Sequence, residues 1–147
     1  MKIGNRGIAL IGLEEGFREH AYLDTGNVWT IGYGHTRSAR PGMIVTKREA
    51  EDLLDLDLNE AEDGVTKFVK VRLTQSMFDA LVSFVFNLGE TQFRNSTLLR
   101  LLNAGLYFDV PEQLCRFTKD NGVDLLGLAR RRLREGLLFL EDGIPST

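Results

Sequence analysis

The four residues Asp24-Thr25-Gly26-Asn27 constrain this chain more than any others, because they reverse its direction inside a sequence that otherwise reads mainly as helix. Glycine tolerates positive φ, and short Asp and Asn side chains bond back to their own backbone, so the stretch is a turn with a mechanism. Beyond it, alternation puts Trp29, Ile31, Tyr33 and His35 on one strand face and Val28, Thr30, Gly32 and Gly34 on the other. A β-hairpin is the expected result. After Thr30 the second face is bare, which weakens a strand and suits a place where a ligand approaches the backbone. Trp29 points away from Thr30, and core packing accounts for it.

Helical patterns flank the hairpin. Upstream, Ile8, Leu10, Ile11 and Leu13 suggest a short helix ending near Gly16. Its phase puts Glu15 in line with Ile8 and Ile11 but also Glu14 in line with Leu10, so periodicity leaves both acids open. Downstream, Thr46 and Glu49 form a capping box, and Ala50, Leu53, Leu54, Leu58, Ala61 and Val65 supply an apolar stripe, with Leu56 less well phased. Such a helix of about 20 residues is about 30 Å long and can join two lobes. From Thr74 onward the pattern is helical, broken at Gly89, Gly105 and Gly122. Phe78, Leu81, Val82, Val85 and Phe86 read as a central buried helix, Leu98, Leu99, Leu101 and Leu102 as another, and Asp109-Val110-Pro111 starts a third. Asn87 is the polar exception, and a cap before Gly89 is its structural explanation. The fold class is α+β.

At 147 residues the chain fits a single folding unit, which could still be built as two lobes around a cleft. A net charge of −3 gives no general basic field for nucleic acid. The charge is unevenly spread: residues 49–63 are strongly acidic, whereas 116–134 carry Arg116, Lys119, Arg130, Arg131, Arg132 and Arg134. That basic run is the one feature favouring a helical nucleic-acid-binding module, and the acidic helix and the lack of interleaved aromatics oppose it. The lone Cys115 excludes an internal disulfide, suits a reducing compartment and reads as a small buried apolar side chain. Two histidines without ligand spacing predict no metal, and no cofactor is expected. The short apolar run before Glu14 and Glu15 is too short for a signal peptide, and no segment approaches a membrane span, so a cytoplasmic origin without stable membrane anchoring is expected.

Glu15, Asp24 and Thr30 place two carboxylates and a hydroxyl around one hairpin, and cleaving an acetal needs one protonated and one ionised carboxyl group. A Glu, eight residues, an Asp, five residues and a Thr, followed by Ile31-Gly32-Tyr33-Gly34-His35, resembles the phage lysozyme (endolysin) family of T4-like and lambdoid muramidases. Phe78–Gly89, Asn95–Leu99 and Gly127–Arg132 resemble further family segments, so nearly the whole chain is covered. The resemblance implies a lysozyme-like α+β fold with a small hairpin-bearing N-terminal lobe (about 14–65), a long connecting helix and a helical C-terminal lobe (1–13 plus 66–147), forming one catalytic domain, 1–147.

It also implies hydrolysis of the β-1,4 bond between N-acetylmuramic acid and N-acetylglucosamine in bacterial peptidoglycan, by an inverting monomer that relies on a holin to reach the wall. Glu15 is then the general acid. Asp24 positions water together with Thr30, whose hydroxyl donates to Asp24; Gly32, Phe86 and Asn87 contact substrate. Arg131 lies against Glu15, chosen by its offset from Glu135, and His35 forms an ion pair with Asp57, three turns after Thr46. Phe117 and Leu126 depart from the residues common at those family positions. Rival readings are a non-catalytic relative and a lytic transglycosylase using a lone Glu, for which Asp24 and Thr30 would be dispensable.

Overall fold

The computed structural model describes residues 1–146, which divide into two compact units, residues 11–60 and residues 1–10 together with 61–146. Helix α1 (Asn5–Glu15) and helix α2 (Lys47–Phe68) each contribute residues to both.

The Ile11–Glu60 unit is organised by a two-stranded antiparallel hairpin, β1 (Arg18–Leu23) and β2 (Trp29–Gly32), with Tyr22 opposite Thr30 and Leu23 opposite Trp29. Residues 43–45 cover the other edge of β1, where Ala21 N–H donates to Met43 O and Val45 N–H to Glu19 O, both at 3.0 Å. Ile31, Val45 and Ala50 form one buried cluster of this unit, with Ala21, Tyr33, Ala39, Met43 and Leu53 packed around them, and Ile11, Leu54 and Leu58 are buried as well. β2 stops at Gly32, three residues short of the alternation expected to run to His35. Gly32 (φ 64°) and Gly34 (φ 75°) turn the backbone back on itself, and Ile31 and His35 exchange both backbone hydrogen bonds at 2.9 Å. Gly32 faces α2, where an added Cβ would lie 3.0 Å from the Ala50 Cβ. Close helix approach explains the missing side chain at Gly32.

The α2 capping box forms as the sequence dictates: Thr46 N–H donates to Glu49 Oε1 at 3.0 Å and Glu49 N–H to Thr46 Oγ1 at 3.1 Å. These bonds hold the Glu49 carboxyl below its ordinary range. Ala50, Leu54, Leu58, Ala61 and Val65 are buried along one stripe, and Leu56 is exposed.

The other unit is built on α3 (Gln75–Leu88), capped by Thr74 and packed against α7 (Leu126–Leu140). Between them run α4 (Glu90–Arg94), α5 (Thr97–Asn103), capped by Ser96, a 3₁₀ turn, α6 (Val110–Leu114) and the tiny hairpin β3 (Lys119–Asp120) and β4 (Val123–Asp124). Residues 76–85 of α3 are buried around the whole helix. Phe84, outside the expected stripe, is therefore fully buried between the rings of Phe93 and Phe117, whereas Phe86 is half-exposed. Cys115 is exposed, contrary to expectation, because it lies at the C-cap of α6, past the buried Gln113 and Leu114.

Two carboxylates unmarked by any motif secure the N-terminus of α1. Asp79, fully buried, accepts from Gly4 N–H at 2.9 Å, Gly7 N–H at 3.2 Å and the Gln75 amide at 2.7 Å, and Glu62 accepts from Ile3 N–H at 2.7 Å. Asp79 thereby satisfies first-turn amides that a helix leaves without internal partners. Asp79→Ala should lower stability by about 2–3 kcal/mol in denaturant unfolding, because buried donors lose their acceptor. At the surface, Arg6 makes a paired contact with Asp142, which also accepts from Ser76 N–H; these bonds pull the Asp142 carboxyl down to about 2. A depressed carboxyl stabilises the fold above its unfolded value of 3.8 and loses that contribution as pH falls through about 2. The melting-temperature gap between wild type and Asp142→Asn should accordingly be constant above pH 5 and close between about pH 4 and 2.

Candidate active site

Asp24 folds its carboxylate over the turn that it opens. Its Oδ1 accepts from Gly26 N–H at 2.8 Å and Val28 N–H at 2.9 Å, while Asn27, in the left-handed region at φ 60°, donates its N–H to Asp24 O at 3.0 Å. Among the described residues Oδ2 has no hydrogen-bond partner. The turn thus fixes the side chain through one oxygen and leaves the other as an acceptor. Thr30, opposite Tyr22 on β2, is buried, and its hydroxyl donates to Val28 O at 3.0 Å. This corrects the expected donation to Asp24: with its proton engaged by a carbonyl, Thr30 Oγ1 is left as an acceptor.

Glu15 closes α1, which ends where Gly16 at φ 69° donates to Gly12 O at 3.0 Å. Glu14 and Glu15 are both half-buried, so burial does not separate them. The Glu15 carboxylate lies directly over the α-carbon of Gly34, where a Cβ would meet Oε1 at 2.6 Å. Position 34 is glycine for its φ of 75°, and a Cβ there would have to displace this carboxylate.

His35, the residue after Gly34, ties the turn to α2. Its Nδ1 lies 2.8 Å from Asp57 Oδ2 and its Nε2 2.6 Å from Ser38 Oγ. Because the Ser38 backbone N–H donates to Nε2 at 3.1 Å, Nε2 carries the lone pair and Nδ1–H donates to Asp57. The expected pairing of His35 with Asp57 is present, with both side chains largely buried.

Of the sequence-predicted residues, Glu15, Asp24, Thr30, Gly32, His35 and Asp57 lie in the Ile11–Glu60 unit; Phe86, Asn87 and Arg131 lie in the other. There, Asn87 is not the helix cap. Gly89, at φ 96°, fills that position and donates to Val85 O at 2.7 Å, while Asn87 Oδ1 accepts from Arg132 Nη2 at 2.7 Å. Arg132 in turn lies over the Phe84 ring, 5.1 Å from its centroid, with Nε 2.8 Å from Glu135 Oε1. Arg131 Nε lies 3.3 Å from Glu135 Oε2, and Arg131 Nη2 donates to Ser83 O at 3.3 Å. Ser83 Oγ donates to Glu135 Oε2 at 2.6 Å. Burial pushes the Glu135 carboxyl up, against the opposing pull of Arg132, Ser83 and Arg131. Sequence reasoning found Arg131, by its offset from Glu135, and Asn87, but gave no role to Ser83 or Arg132, which bond to them. A polar Ser83 inside an apolar helix was the available signal.

No group of three or more His, Cys, Asp or Glu among the described residues is placed to hold a metal ion, and no helix among them is long and apolar enough to cross a membrane.

The family model described as phage lysozyme matches residues 13–135. The chain is 43% identical over 143 residues to the endolysin of Bacillus phage B103, covering 95% of this chain and 54% of that relative. It thus spans little more than half the length of the Bacillus phage endolysins it matches. The endolysin of Salmonella phage P22 is 39% identical over 145 residues, covering 95% of this chain and 99% of that one. Among solved structures, the muramidase domain of SpmX from Asticaccaulis excentricus superposes with a TM-score of 0.89 at 42% identity, covering 95% of this chain and 97% of that chain.

The Asp24 geometry separates turn from charge. Asp24→Asn keeps an Oδ1 acceptor and should leave the thermal midpoint nearly unchanged, whereas Asp24→Ala removes both turn bonds and should cost about 1–2 kcal/mol in denaturant unfolding.

Proposed function

Since this chain belongs to the phage lysozyme family, we propose that it is a muramidase hydrolysing the β-1,4 bond between N-acetylmuramic acid and N-acetylglucosamine in bacterial peptidoglycan. The observation that carries the hydrolytic reading is the pair of acceptors left on one hairpin, Asp24 Oδ2 and Thr30 Oγ1. A water donating one proton to each presents its lone pair to the sugar. Glu15 delivers its proton to the glycosidic oxygen, the bond from the anomeric carbon to that oxygen breaks with its electrons going to oxygen, and the oxocarbenium-like centre is attacked by the water. Asp24 takes the water's proton. Attack from the face opposite the leaving group inverts the anomeric configuration, which needs room for water between the carboxyl groups, about 6.5–9.5 Å.

Arg131 is the proposed cation beside Glu15, and Asn87, with its carbonyl taken by Arg132, offers its amide N–H groups to substrate alongside Phe86. Gly32 contributes its backbone to the same substrate contacts. We place synthesis of the chain in the host cytoplasm and its action, as a monomer, at the wall after a holin opens the membrane. A lytic transglycosylase, the alternative, needs no held water and gives Asp24 and Thr30 no role.

Glu15→Gln keeps the shape and removes the transferable proton, so lysis of outer-membrane-stripped Gram-negative cells should fall by about 10²–10⁴-fold with the fold intact. Glu14→Gln should change little, and the reverse pattern would overturn the assignment. Gly34→Ala should cost about 10²-fold in the same assay by displacing the Glu15 carboxylate.

A further inference from the structure

Thr30 is only 4% exposed although it stands on the hairpin face assigned to the attacking water, and its neighbours along the chain do not account for that burial. Two positions before it Val28 is 45% exposed, and two positions after it Gly32 has no side chain. The residue directly opposite Thr30 is Tyr22 on β1. Directly opposed residues project to the same face with Cβ atoms about 5 Å apart. Within the hairpin, the Tyr22 ring is therefore the large group beside the Thr30 hydroxyl. Asp24 follows Tyr22 by two positions, and alternation puts it on that face as well. One ring flanks both acceptors.

The ring is itself held. Arg18 places its guanidinium carbon 4.4 Å from the ring centroid, a cation–π contact that fixes the ring plane. Arg18 pairs with Gly32 and Tyr22 with Thr30, so four positions of β1 are set against two of β2. An irregularity of this kind re-aims side chains, and here it goes with a guanidinium stacked on the ring. The Tyr22 hydroxyl has no hydrogen-bond partner among the described residues, so the fold secures the ring and not the phenol oxygen.

We propose that Tyr22 is a positioning residue for the hydrolytic step: its ring, braced by Arg18, walls the space beside Thr30 and Asp24 and keeps there the single water that both acceptors hold. This rests on the muramidase reading and adds to it the group that excludes a second water. Such a wall acts on the reacting step and not on sugar binding, so its loss lowers kcat and leaves KM alone.

Steady-state hydrolysis of soluble peptidoglycan fragments by the full chain tests this. Tyr22→Ala should lower kcat about 10–100-fold with KM within about twofold of wild type, whereas Tyr22→Phe should keep about the wild-type kcat. Thr30→Val removes the acceptor through which Tyr22 acts, so adding Tyr22→Ala to it should cost less than about twofold more. Arg18→Met frees the ring without altering it and should lower kcat severalfold, again with no further loss once Thr30 is Val; it decides the matter should Tyr22→Ala not fold. An unchanged kcat, with or without a rise in KM, would overturn the proposal, a rise in KM alone marking the ring as a sugar platform. So would losses from Tyr22→Ala and Thr30→Val that multiply, or a Tyr22→Phe variant as impaired as Tyr22→Ala. Full activity of Thr30→Val would remove the held water itself, and with it both the hydrolytic reading and the role of Tyr22.

Discussion

The Glu15 carboxylate occupies the space that any side chain at position 34 would need, and the geometry of the hairpin unit follows from that contact. Gly34 can lie so close only because the backbone turns through positive φ at Gly32 and Gly34, and that turn holds because Ile31 and His35 exchange both of their backbone hydrogen bonds. The turn is fixed to α2 by the His35 bond to Asp57 and by Gly32 against Ala50. α2 is itself started by the reciprocal bonds of Thr46 and Glu49. Each link is short-range, and each fails if a glycine or a polar partner is replaced.

The other unit uses a costlier device. Glu135, fully buried with Arg132 and beside Arg131, is a charged group in surroundings that disfavour charge, and such clusters seldom stabilise a fold relative to apolar packing. What this cluster does do is fix orientation: Ser83 and two guanidinium groups all bond to one oxygen of the carboxylate, Oε2, and Arg132 consumes the Asn87 carbonyl.

Much of this was legible in the sequence where the signal was local. The Asp24 turn, the end of α1 at Gly16, the capping box and the apolar stripe of α2 each rest on residues within a few positions of one another. Legibility ended where partners are distant. Ser83 and Glu135 are 52 residues apart, Arg132 and Asn87 45, and Asp79 reaches 75 residues back to Gly4, spacings on which no periodicity reports. Alternation also failed between Ile31 and His35, because it assumes extended backbone and two glycines there are not extended. The stripe on α3 named Phe86 and missed Phe84, since a helix covered on all sides has no single apolar face to read.

The chemistry stands or falls on a water held by Asp24 and Thr30 that attacks opposite the leaving group. Proton NMR of purified glycan strands in the first minutes of digestion reads this directly. Inverting hydrolysis predicts the α-anomer of the new N-acetylmuramic acid reducing end before mutarotation sets in. The β-anomer, or a 1,6-anhydro product with no reducing end, would contradict it.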